Sequence, residues 1–504
     1  MMAESRMEFK VECVQEKLEG VVQWLNEAAT NGTPAHEVER SLFRQVLELG
    51  RQLFGAFLQA VGSGDLGPEV ELSEGHVVKR LENEHRRRLL TVFGEFTLSR
   101  WVYGIDERQK IELVPTDQRL QLPAGELSYL LQEWDQLLGV EQAFGVVHEM
   151  LHTILRIKQS VDTLEHGSRE MAEAAAAFRE QQPVPDPQTE AELLVVTEDN
   201  KGIPMVRPAD APRPGAHAKK GEKKNKKKMA CLGCVYSVDR HVRTPDELAA
   251  TLFRDPDRAK AMPPKAQHKR YWAELTRVID GEEIHGQRAV FQHLRDDIAL
   301  RRKPRQKLIN LSDGQRSLET DRDEYLPRDE DTVDVLDLLH VLPRLWTAAH
   351  LFHKEGSDEA GVFVRQRLLR VLQGKAKDVI ADLRRQGTTR NLRGAPAKTL
   401  RQINEFLAAN LHRMRYDEYL AAGYPIATGV IEGACRHVIK DRMERTGMRW
   451  KLPGAQAMLD LRTIRTNDDW EAFQDFRVRR ETERLYPHAR PIHATPSPDH
   501  AIAL

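Results

Sequence analysis

The sequence predicts an α/β protein: a region of strands and helices, preceded by a mainly helical region and followed by a long all-α stretch. Three observations carry this. Apolar residues recur at spacings of three and four in "SLFRQVLELGRQLFGAFLQAVG" near the start of the chain. After a proline-rich break the pattern changes to short β-branched runs, "AELLVVTED" and "PRQKLINLSDG". Helical periodicity then returns and persists from Val341 to Pro425.

Taken in order, residues 1–182 read as a mainly helical region. Leu42, Val46, Leu49, Leu53 and Phe57 mark one buried stripe, and "TVFGEFTLSRWVYG", punctuated by Gly94 and Gly104, has the texture of a hairpin. Helical pattern resumes at Gly125, and residues of about 127–177 admit a helix-turn-helix with Ser160 as the cap of the second helix, or an ordinary helical bundle. Three prolines in "EQQPVPDPQTE" make residues 183–190 a linker. Residues 191–340 form the first part of a sheet-bearing core: a strand ends in acids at Asp199, "NKGIPMVRP" turns the chain, and "MACLGCVYSVDRHV" is a further strand. "EIHGQRAVFQHLRDDIALRRK" is a helix, "LINLSDG" is a strand ending at Asp313, and "DTVDVLDLLHVLPRLW" is a strand merging into a helix. Residues 341–425 are helical throughout, and residues 471–504 read as a C-terminal tail.

Composition limits the function. The 504 residues exceed what one core holds, so two to four domains are expected. With 30% charged residues, mean hydropathy −0.56 and no long apolar run, no membrane span is expected. "MMAESRMEFKVECVQEK" carries charges where a signal peptide needs an apolar run, and four cysteines are too few for a disulfide framework, so a cytoplasmic location is expected. Cys231 and Cys234 form a CxxC without a second pair and read as buried strand residues. The net charge of −1 hides local excess: Val341 to Pro425 holds 15 Lys/Arg against 8 Asp/Glu, an excess of seven cations. The lysines between Lys219 and Lys228 read as a loop that adds sequence-blind affinity for DNA.

Two strand ends therefore present Asp199 and Asp313, and a later helix presents Glu432 near its start. Brought together, such carboxylates suit hard divalent cations, because Mg²⁺ takes oxygen ligands and two ions can clamp an in-line phosphoryl displacement. On an ideal helix Ile431, Cys435 and Val438 form a buried stripe, Glu432 stands at its border, and Arg436 and Lys440 follow at four-residue steps. Read without the rest of the chain, Glu432 is also a favourable acid in a first helical turn, with the cations as a solvated face.

"VVTEDNKGIPM", "LINLSDGQRSL", "VLDLLHVLPRLWTAA" and "ATGVIEGACRHVIKDRMERTGMRW" together resemble a bacterial insertion-sequence transposase of the DDE, RNase H-like class, from about Ala191 to Trp470. The resemblance implies an RNase H-like mixed sheet flanked by helices, its core in two parts, 191–340 and 426–470, interrupted by residues 341–425 as an all-α insertion, with Asp199, Asp313 and Glu432 holding two Mg²⁺ (or Mn²⁺) ions. It also implies cleavage at the element's ends and strand transfer into target DNA. The partners implied are double-stranded DNA, as terminal inverted repeats and target, and further copies of the chain in a homodimer or higher oligomer at the nucleoid. Arg436, Lys440, Arg442 and Arg449 would then contact DNA, as would His340. Trp346 is either a base-stacking platform or, with Leu339 and Leu342 at helical spacing, a core residue. Asp337, three residues before His340, is the alternative second acid. Two departures stand out: Asp199 is followed by Asn200 rather than glycine, and "YGIDERQKIELVP" lacks the cysteines of a zinc ribbon. A nuclease without strand transfer and a catalytically silent DNA-binding descendant are the rival readings.

Overall fold

The helical period of the first sixty residues produces two long helices, α1 (Met2–Thr30) and α2 (Ala35–Val61), joined in a hairpin. The computed structural model describes residues 2–72, 76–105, 111–206, 227–256, 258, 262–279 and 281–487. These form two compact units, Met1–Ala174 with Glu471–Leu504 and Ala175–Trp470. In the first unit α2 stops at Gly62, whose φ of 78° is one that glycine adopts without strain. An antiparallel hairpin follows, β1 (His85–Thr91) and β2 (Gly94–Arg100), so its first strand lies upstream of the segment singled out in the sequence. Its Leu89 and Leu98 pack with Phe54 and Leu58 of α2.

Helices α3 (Tyr129–Gly139), α4 (Phe144–Leu155) and α5 (Val161–Ala172) share a small core of Leu138, Val147, Leu151 and Leu164. The Ser160 hydroxyl caps α5 by accepting from the Thr163 N–H at 3.0 Å.

The second unit is built on a five-stranded mixed sheet. Its strands are β3 (Leu193–Pro204), β4 (Lys227–Val238), β5 (Gln267–Leu275), β6 (Lys307–Ser312) and β7 (Thr332–Leu336), in the order β7-β6-β3-β4-β5. β3, β6 and β7 are mutually parallel, whereas β4 runs antiparallel to both β3 and β5. One face is covered by α6 (Gly286–Arg301) and α7 (Arg316–Tyr325), whose Val290, Phe291, Leu294 and Leu318 meet Leu194, Val196 and Val235. Beyond β7 the chain is helical, as its periodicity requires: α8 (Leu338–His350), α9 (Asp358–Leu372), α10 (Ala376–Thr389) and α11 (Gly394–Ala409). It returns through α12, which starts as Gly429–Ala434, passes a π-helical turn at Cys435–Lys440 and ends at Asp441–Met443. α13 (Leu452–Thr466) packs on β5, where the Gln456 carboxamide accepts from the Leu275 N–H. The last helix, α14 (Trp470–Leu485), stands where the sequence reads as a tail, and from Glu471 on it belongs to the first unit. There Arg477 donates to Gln132 at 2.7 Å and Tyr486 to the Leu122 carbonyl at 2.6 Å.

Two strand assignments change. β3 does not end at Asp199, and "NKGIP" is no turn, because β4 offers an antiparallel partner as far as Lys227 opposite Pro204. β5 has no counterpart in the sequence reading, since its first half is polar and exposed and only its second half is apolar. Cys231 and Cys234 are buried on β4 as read. Residues 219–226 of the lysine run lie outside the described residues.

Candidate active site

The parallel register decides which acids meet. Leu311 of β6 faces Thr197 of β3, and Ser312 faces Leu336 of β7. Continued to the next residues, the same register sets Asp313 level with Asp199 on one side and with Asp337 on the other. Asp313 and Asp337 thus follow the carboxyl ends of β6 and β7, where open α/β sheets assemble their sites, and Asp199 stands level with them inside the longer β3. Glu198 continues the β3 face covered by α6 and α7 and pairs there with Arg322, both side chains buried. Alternation sends Asp199 to the opposite face, where the Cys435 thiol of α12 donates to it.

Asp337 differs from its two neighbours. Its side chain is 0% exposed, and each of its oxygens already accepts twice. Oδ1 takes the Leu339 N–H at 2.9 Å, capping α8, and the Thr428 N–H at 3.2 Å, while Oδ2 takes the Thr428 hydroxyl and His340 Nδ1 at 2.8 Å. A buried carboxylate with this many donors is a fixed strut. It holds the protonated Nδ1 of His340 inward, which aims Nε2 outward. Ligand atoms of Asp337, His340 and Glu432 lie within 4.8 Å of one another, and Asp199 and Asp313 stand outside that group. Asp313 is committed less, to the Gln315 N–H at 2.7 Å, on a turn whose Gly314 has φ +80°.

Glu432 is exposed on α12 while Ile431, Cys435 and Val438 are buried, as the periodicity predicts. The π turn closes on i→i+5 bonds and admits one extra residue, so the ideal 100° step does not carry through to Lys440. Arg436 is exposed and pairs with Asp441 at 3.6 Å, and Lys440 is exposed.

The electrostatics of the row are unfavourable for anions alone. Burial, then the charge of Asp313, raise the Asp199 carboxyl above its ordinary value, against the hydrogen bond from Cys435. Although Glu432 is exposed as a residue, partial loss of solvation at its carboxyl and then Asp337, with a further contribution from Asp199, raise it, opposed by His340 and Lys201. His340 is raised in turn by its hydrogen bond to Asp337, and the charges of Asp313 and Glu432 add to the effect. Like-charged carboxylates that push one another up are the arrangement a bound cation relieves. The carboxylates of Asp199, Asp313 and Glu432 make an oxygen donor set, which fits a hard divalent ion.

Several contributors carried no sequence signal of their own. Arg344 lies 3.4 Å over the Phe406 ring, donates to the His340 carbonyl and feels Asp313. Arg413 is buried and donates to Ser312 Oγ, Asn410 and Glu319, bracing the end of β6. Thr428 could have been found as the residue four before Glu432.

Of the cations expected on DNA, Arg442 is corrected: it is 0% exposed, with its guanidinium 5.0 Å from the Trp450 ring centroid and donating to Met448 Sδ. Packing against Trp450 buries it as a core residue. Arg449 is exposed and donates to the Met448 carbonyl. Trp346 is half-buried against Phe253, with ring centroids 6.4 Å apart, so packing claims part of its surface. No helix among the described residues is long and apolar enough to cross a membrane. No protein-family model matches the chain, and no curated protein is detectably similar to it.

Proposed function

We propose that this chain is a metal-dependent DNA phosphoryl-transfer enzyme of the transposase kind, which cuts strands at the ends of a mobile element and joins them to target DNA. The observation that carries this is the level row of Asp199 within β3 and of Asp313 and Asp337 just past β6 and β7, with Glu432 of α12 beside Asp337. The order β7-β6-β3-β4-β5, with β4 antiparallel to both neighbours, supports an RNase H-like reading of the sheet.

Asp199, Asp313 and Glu432 would hold the ions, since Asp337 is already saturated by four donors. Bound there, Mg²⁺ or Mn²⁺ supplies a water of lowered pKa and charge stabilisation at the leaving oxygen. The protein's own part is positioning. His340, held by Asp337 and biased toward its charged form, offers an Nε2–H to a phosphate oxygen. Lys201 and Arg344 add positive charge beside the acids. Lys440 with Lys375, Lys377, Arg384 and Lys398, all exposed, offers backbone contacts whose strength falls with salt. The α4–α5 pair, joined through Arg156–Ser160, is the proposed reader of the element's ends.

The test uses the full chain, Mn²⁺ and a plasmid bearing the DNA that flanks the gene. Cleaved and joined products are expected from the wild type and from none of Asp199→Asn, Asp313→Asn and Glu432→Gln. Cleavage without joined products would make the protein a nuclease only, and binding with no cleavage by the wild type would make it a silent DNA-binding protein. Cleavage retained by all three variants would remove the proposed site.

A further inference from the structure

The stripe that the sequence marks as buried on α2 is only partly so. Phe54 and Leu58 turn to the β1–β2 hairpin, and a Cβ on Gly50 would come within 2.6 Å of the Phe93 ring, so this side of α2 is closely packed. Beside it Phe43, Val46, Leu53 and Phe57 are 47%, 53%, 51% and 51% exposed. At about 100° per residue they fall within an arc of about 80°, a strip roughly 20 Å long. α1 adds Leu18 and Val22, each about half exposed, although Val21 and Ala28 between and beyond them are buried.

We infer that this face is the contact between two copies of the chain, each contributing its α1–α2 hairpin to a four-helix arrangement. Charge selects the occupant. Residues 2–61 hold nine acidic and six basic side chains, so the hairpin as a whole repels DNA and anionic lipid surfaces. Within α2, which carries most of the strip, three arginines balance three glutamates, so the two α2 helices meet without net repulsion and the acidic excess lies on α1. The stretch from Gln52 to Val61, the C-terminal end of α2, carries no charge at all, and Arg44, Glu48 and Arg51 accompany the rest of the strip, a mix of apolar and charged residues such as protein interfaces have. Area agrees. Six half-exposed large side chains amount to about 500 Å² in each copy, or about 1,000 Å² for the pair, the lower bound for specific association. A two-fold contact of this kind is closed and self-limiting.

The inference does not rest on the proposed chemistry, and its test contains neither DNA nor metal. The full chain is examined by sedimentation equilibrium at micromolar concentration. A two-chain mass is expected for the wild type and a one-chain mass for Val46→Glu/Leu53→Glu, with helicity and melting unchanged because both side chains already stand half in water. Should the glutamates disturb folding, Val46→Ala/Phe57→Ala decides, removing area without adding charge and weakening association by at least roughly tenfold. A wild-type chain that stays single, a variant pair that stays dimeric, or wild-type binding to phosphatidylglycerol vesicles through this face would overturn the inference.

Discussion

Asp337→Ala and Asp313→Ala should have opposite consequences, although the two acids stand side by side at neighbouring strand ends. Asp337 caps α8, and its loss costs about 1 kcal/mol on that account. It also leaves the buried Thr428 N–H and hydroxyl without their acceptor, at about 1–3 kcal/mol for each unsatisfied group, and releases the partly exposed His340 ring. Because these losses share one cavity and do not add fully, the total is about 3–5 kcal/mol. For a unit of this size that lowers the melting temperature by about 5–10 °C. Asp313 makes one bond to the Gln315 N–H on a turn, worth at most about 1 kcal/mol, and its removal relieves repulsion on Asp199. Its variant should melt within a degree or two of wild type, by the same scaling.

Calorimetry of the full chain, in chelator and then with Mn²⁺, separates the two. Mn²⁺ should raise the melting of the wild type and of Asp337→Ala, and leave Asp313→Asn where it was, because ligand binding stabilises only the fold that holds the ligand. If Asp313→Ala lost as much stability as Asp337→Ala, or if Asp337→Ala alone abolished the response to Mn²⁺, the roles assigned to the two acids would be reversed.

Four further outcomes follow from the same structure. Asp199 and Glu432 have raised folded pKa values, so their contribution to stability is present below their unfolded pKa and is lost as pH rises through the folded value. In chelator, wild type should therefore lose stability relative to Asp199→Asn/Glu432→Gln as pH rises from the acid range, in thermal melts across a pH series. Glu198→Ala leaves the buried Arg322 without its partner and should cost about 3–5 kcal/mol in urea titrations. Arg442→Ala should lower melting without changing the salt dependence of DNA binding, whereas Lys440→Ala should flatten that dependence and spare the melt. A chain ending at residue 470 lacks Arg477 and Tyr486, and in limited proteolysis its first unit should be cut while the second resists.

Elements whose burial follows one period were legible in the sequence, and those set by distant partners were not. α6, α8 and the insertion helices repeat apolar residues every three or four positions, and β6 is a clean apolar run closed by Asp313 and Gly314. β3 misled because Asn200, Gly202 and Pro204 are turn residues locally. They stay extended because β4 pairs with every one of them, and Pro204, lacking an N–H, stands at the strand's last position. Arg442 misled for the opposite reason. Its neighbours Arg436 and Lys440 are solvated as a cation run usually is, whereas Arg442 is covered where the chain returns with Met448 and Trp450.

The candidate acids were legible as residue types, but their partnership is a matter of register that composition cannot carry. Parallel strands far apart in sequence bring Asp199 and Asp313 level, and the short step from β6 to β7 brings Asp337 level as well. Sequence alone weighs Asp313 against Asp337 as rivals for one position. The register gives both a place, and hydrogen bonding then divides the work: the buried member, saturated by Thr428, Leu339 and His340, fixes the geometry, and the one at the open turn commits Oδ1 alone, to the Gln315 N–H. Thr428 also ties this row to α12, so the strut that orients His340 sets the start of the helix bearing Glu432. A change at Asp337 should therefore act on the site through two elements at once. Thr428→Val, which keeps the N–H and removes the hydroxyl, should disturb cleavage more than metal response if that coupling operates. Equal cleavage by Thr428→Val and wild type at matched folding would show that α12 is positioned by its packing alone.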